Sequence, residues 1–183
     1  SMTLPADKMP LRVKILNAVV AAIKEVTPGF GFHNTLGPDE HGRDRVVRGR
    51  IAIGNDEPLP FVTVIEPPLA TDQINSRRQP DNTSRAGEWD ILVQGWAEDD
   101  DTPGDQAYLL CSEVCQRLAQ EKRRPDTGPG RGTPYNFFGL GNAIYEYTIG
   151  SPVVRPSETV SGQSVFYVIL TVKIHEDIAS PFA

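Results

Sequence analysis

His33, Asp39, Glu40 and His41 put four side chains able to ligate a metal within nine residues. Imidazole with carboxylate is a donor set that zinc and similar ions accept. Their spacing matches no helical or knuckle pattern, and Gly37-Pro38 bends the chain between them, so a polar loop accounts for them as well. Asp99, Asp100, Asp101 and Asp105 have the composition of a calcium loop but lack alternating ligands, a central glycine and a distal glutamate. A solvated turn followed by a helix cap explains them. Gly128-Pro129-Gly130-Arg131-Gly132-Thr133 looks like a phosphate cradle, yet no lysine follows the glycines and proline removes an amide donor. There is no Gly-x-Ser-x-Gly elbow, and the three histidines have no recognisable serine or cysteine partner. No catalytic residue, metal site or cofactor is expected. A small metal- or ligand-binding enzyme using His33, Glu40 and His41 stays as a distant alternative.

The arginines carry a different chemistry. Arg43, Arg45, Arg48 and Arg50 crowd one strand, and Arg77, Arg78, Arg123, Arg124 and Arg131 fall in loops. A guanidinium forks onto carboxylates and stacks on aromatic rings, so arginine is enriched at interfaces. Arg48 and Arg50 alternate with Val47, Gly49 and Ile51, which predicts both side chains on one side of a strand. A solvated strand face balanced by surplus acids is the competing account. The candidate intersubunit or partner contacts are Arg48, Arg50, Arg77, Arg78, Asp99, Asp100, Asp101, Arg123, Arg124 and the exposed-looking pair Phe137 and Phe138.

These residues need a scaffold. Leu11, Ile15, Leu16, Val19, Ala22, Ile23 and Val26 repeat at helical spacing until Pro28-Gly29 stops them. Val46 to Ile53 and Pro60 to Glu66 read as strands around the turn-rich Gly54 to Pro58, which predicts a hairpin. Glu88 to Ala97 alternates, with Trp89, Ile91, Val93 and Ala97 on one face, and runs into the acidic Glu98 to Asp101, which is expected in water. Thr102 is placed as an N-cap, Pro103 as the first helical residue and Asp105 as the third. Ala107, Leu110, Cys111, Val114 and Leu118 then give the helix an apolar stripe. Ile144 to Ile149 and Ser164 to His175 complete the strands; Phe166, Val168, Leu170, Val172 and Ile174 share one face of the last. Residues 67–87 and 121–142 show no period and read as long loops, the second of them ordering only on a partner. The order predicts a single α+β domain over residues 1–183: a mixed, mostly antiparallel sheet of about five strands with two helices on one face. Residues 1–10 form a tail whose Ser1, ahead of Met2, is excluded as an expression scar.

Length and charge narrow the function. A chain of 183 residues buries roughly 70% of its unfolded surface and needs no staples. Cys111 and Cys115, four apart on a helix, are poorly placed to bridge and read as buried thiols of a reducing compartment. A net charge of -6 argues against generic binding to a phosphate backbone, and no specific nucleic-acid binding is expected. No apolar run reaches the roughly 18 to 20 residues that span a bilayer, and no basic-then-apolar leader opens the chain, so no membrane partner is expected.

The element order, the strand ending Ile91-Leu92-Val93-Gln94-Gly95-Trp96, the acidic turn, the helix with Ala107-Tyr108-Leu109-Leu110 and the closing strand Val165 to Val172 resemble the tail terminator proteins of long-tailed bacteriophages. The resemblance runs from the first helix to the last strand as a pattern, and no residue of the two long loops matches a family position. It implies a mixed sheet with helices packed on it and a homo-oligomeric ring, usually hexameric, without catalysis. Such a ring ends tail tube polymerisation, binds the tube protein and presents a surface to the neck or connector. The expected location is the virion tail, after assembly in the bacterial host cytoplasm. Another neck protein, a head-completion or connector component, fits the same features. A ring contact joins two different patches, and Arg48 and Arg50 facing Asp99 to Asp101 of a neighbour would suit it. The acid surplus further implies a negative lumen through which DNA passes without being held.

Overall fold

A computed structural model describes residues 3–50, 53–54, 56–67, 84–122, 137–158 and 161–182. The chain is a single-domain α+β fold. Helix α1 (Leu11–Ile23) is followed by strands β1 (Val46–Arg48), β2 (Phe61–Ile65) and β3 (Ser84–Glu98). Helix α2 (Asp105–Gln120) and strands β4 (Ile144–Ile149), β5 (Val153–Pro156) and β6 (Gln163–Asp177) complete it. The sheet runs β1-β2-β3-β6-β4, with β5 pairing the same β6 nearer its start. All pairs are antiparallel except β1 with β2.

The long central pair β3 and β6 is where alternation is strongest. Trp89, Ile91, Val93 and Ala97 are buried on the face that Phe166, Val168, Leu170, Val172 and Ile174 share. Both helices cover that face: Ile15, Val19 and Ile23 of α1 and Leu110, Val114 and Leu118 of α2 complete one core. A smaller cluster of Ile53, Phe61, Trp96 and Val165 lies on the other face.

The expected hairpin is corrected. β1 lies parallel to β2, with Val46 opposite Val62 and Arg48 opposite Val64. Twelve residues between the strands are enough for a return crossover. The return also has a use, because Ile53 and Leu59 from it cover Phe61 and Trp96 on the helix-free face. Gly49, at φ 79, turns the chain out of β1. The predicted strand therefore ends at Arg48 instead of Ile53. Strand β3 begins at Ser84, inside the stretch read as loop, and β5 was not expected, which makes six strands. Val153 and Arg155 are exposed on so short an edge that no alternation marks it.

Candidate interaction surface

Two of the expected contact acids have work inside the molecule. Asp99, half-buried, accepts hydrogen bonds from the Gly104 amide at 3.0 Å and the Ser164 hydroxyl at 2.7 Å. Asp100 accepts from the Thr102 amide and hydroxyl, both at 2.9 Å, and from Gln106 Nε2 at 3.0 Å. This corrects the expected cap. Thr102 donates to Asp100 instead of capping α2, and Gly104, at φ 91, occupies the N-cap position. Carboxylates are stronger acceptors than a hydroxyl and lie at the positive end of the helix. The Thr102 amide first, then Gln106 and the Thr102 hydroxyl, hold the Asp100 carboxyl below the usual aspartate range. A lowered folded-state value means that this hydrogen-bonded turn is complete above the ordinary range and is lost only as acid protonates Asp100. Followed by NMR, the Thr102 amide resonance should titrate with a midpoint below that of an unperturbed aspartate.

The arginine pair is also divided. Arg48 is exposed at the end of β1, whereas Arg50, beyond the Gly49 turn, pairs with Glu57 and stacks 5.5 Å from the Phe61 ring centroid. The two do not share a strand face, because a left-handed residue separates them. Arg43 is held by Asp39 at 2.7 Å, and Arg45 donates to the Leu59 carbonyl at 2.6 Å. Phe137 and Phe138 are not exposed anchors. Both are half-buried around Tyr147, at 5.0 and 5.5 Å between ring centroids, where an aromatic shelf extends the main core. Arg77, Arg78, Arg123, Arg124 and Arg131 lie outside the described residues.

The metal alternative gains no geometry. Asp39 turns inward to accept from the His41 and Arg43 amides, while His33 and His41 are exposed. Among the described residues, no three His, Cys, Asp or Glu side chains converge as a metal site. Cys111 and Cys115 are not bridged. The hydrogen bond with Cys115, then burial, pushes the Cys111 thiol up.

Sequence reasoning missed a polar strap on the flank of α2. Glu113, buried beside the apolar stripe, accepts from the His33 amide at 2.6 Å, the Asn34 amide at 2.8 Å and Asn34 Nδ2 at 2.7 Å. One turn later Arg117 binds Glu25 at 2.8 Å and Glu121 at 3.1 Å. The signal available was a charged i, i+4 pair immediately flanking the stripe. Truncating Glu113 to alanine leaves two backbone donors unsatisfied and should cost about 2 kcal/mol, with Glu113→Gln losing less. Urea unfolding of the two variants measures the difference, and equal stability of alanine and wild type would remove Glu113 as the anchor of this loop.

What remains on the surface is an acidic corner and a separate arginine edge. Glu98, Asp101 and Asp105 are exposed, and none of them enters an ion pair among the described residues. Tyr108, 56% exposed, stands one turn into α2, three residues after Asp105 on the same helix. Asn34, Pro60, Glu98, Asp100 and Gln106 line an open groove at the same end of the sheet. Among the described residues no helix is long and apolar enough to cross a membrane. No protein-family model matches the chain, and no curated protein matches it by sequence.

Proposed function

We propose that this chain is a noncatalytic structural protein of a phage or prophage virion, a tail terminator that forms a ring on the last turn of the tail tube. The ring ends tube growth and offers its outer end to the neck of the filled head. One observation carries the reading: the helix, three strands, acidic turn, second helix and closing strands make one mixed sheet with both helices on a single face. That is the architecture the resemblance implies. Exposed carboxylates at one corner, with no cation paired to them among the described residues, suit a role in contact with other protein surfaces.

The test is light scattering over a concentration series, alone and with the cognate tail tube protein, followed by electron microscopy of large species. Rings, or tubes capped at one end, are expected. A chain that stays monomeric and leaves tube length unchanged refutes termination. Binding to a neck component without any effect on the tube would assign it to head completion instead.

A further inference from the structure

The sheet has two different edges at the same height. Pairing runs in one row from Val46 through Val62, Gly95 and Phe166 to Val154, and in the next from Val47 through Thr63, Gln94 and Tyr167 to Val153. β1 and β5 thus end the same rows, four strand spacings or about 19 Å apart. Arg48 has the facing of Val46, whose side chain belongs to the helix-covered core. The start of α2 stands on that same side, where a Cβ at Gly104 would meet Val154 at 3.8 Å. Cation and acids therefore lie on one side of the sheet at opposite edges.

We propose that a second copy of this chain docks its β1 edge, through Arg48, onto the corner formed by Asp101, Asp105 and Tyr108. The proposal deepens the ring reading and rests on it for the closure of the contacts. Charge complementarity selects the occupant: among the described residues, Asp101 and Asp105 have no cation of their own and Arg48 has no carboxylate. A guanidinium can fork onto the carboxylates while stacking on the Tyr108 ring. A two-fold contact of the corner with itself would set acid against acid, so the favourable arrangement is head to tail, which closes as a ring or runs on as a filament. Arg155, exposed beside the corner, faces away and stacks 5.6 Å from the Tyr167 ring centroid on the helix-free side.

Side chains have to carry this contact. The Ser157 amide bonds the Gln163 carbonyl at 3.0 Å, so by alternation the amides of Val153 and Arg155 point inward to β6. Positions 154 and 156 face outward, and Pro156 has no amide. With Pro152 immediately before the strand, only the Val154 amide of β5 is left to receive an added strand.

The experiment compares the full-length chain with R48E and with D101R/D105R by sedimentation velocity, alone and with tail tube protein. Each variant by itself should associate about 10- to 100-fold more weakly, because like charges then face each other. Mixing the two should restore assembly, since the edge of R48E complements the corner of D101R/D105R and the unaltered edge and corner still match. Circular dichroism checks that both remain folded, which their exposed positions predict. Rings that form regardless of these charges, or variants that fail even when mixed, overturn the proposed contact and leave termination standing. A wild-type chain that is monomeric with and without tube protein overturns both.

Discussion

Arg117→Ala is expected to destabilise the fold by about 3–5 kcal/mol, because the buried Arg117–Glu121 ion pair loses its cation while the carboxylate stays buried. At this chain length that lowers Tm by roughly 10 °C. Arg117 and Glu121 are one turn apart on α2, and their side chains are 6% and 4% exposed. Glu25, the other partner, is 36% exposed and can recover water. Most of the penalty should therefore reside with Glu121. Its charge also lies beside Tyr147, whose hydroxyl donates to the Leu118 carbonyl at 2.8 Å and whose proton is held mainly by burial and then by Glu121. The pair R117M/E121Q removes both charges and should regain more than half of the loss. Chemical denaturation of the three proteins decides the point. If R117M/E121Q is no more stable than Arg117→Ala, the buried Glu121 charge is not the cause.

The second large effect is at Gly95. It lies in the cross-strand row between Val62 and Phe166, on the face packed by the helices. A Cβ there would come within 2.8 Å of Phe166 Cζ and closer still to Cε1. Phe166 is wholly buried, so its ring has little room to move. Gly95→Ala should cost about 1–3 kcal/mol, and Gly95→Val more, by overpacking. Phe166→Leu in the same chain makes room, so G95A/F166L should lose less than the two single variants summed. Additive losses would show that the ring is not what excludes a side chain at position 95. The site needs glycine for close approach, not for its backbone angles.

Both residues mark the boundary of what sequence could say. Gly95 interrupts an otherwise apolar alternation in β3, and only the register with β6 shows that an aromatic ring fills the gap. Glu113 and Arg117 read as solvated flanks of an amphipathic helix until the loop after α1 is seen to close over them. A charge pattern gives the direction of a side chain on its own helix but not what another segment brings to it.

The sequence by itself determined the two helices, the central strands and the side of each that is buried, because periods of 3.6 and 2 are local properties of the backbone. It likewise set an acidic turn before α2 and the single α+β domain. Tertiary structure alone decided that β1 runs parallel to β2, that Asp99 ties the acidic turn to Ser164, that Phe137 and Phe138 wrap Tyr147, and that Arg50 is engaged while Arg48 is exposed at an edge. Each of these depends on a partner distant in the chain, or on a single left-handed glycine. Local patterning fixes which face a residue takes, and only packing and register fix what it meets there.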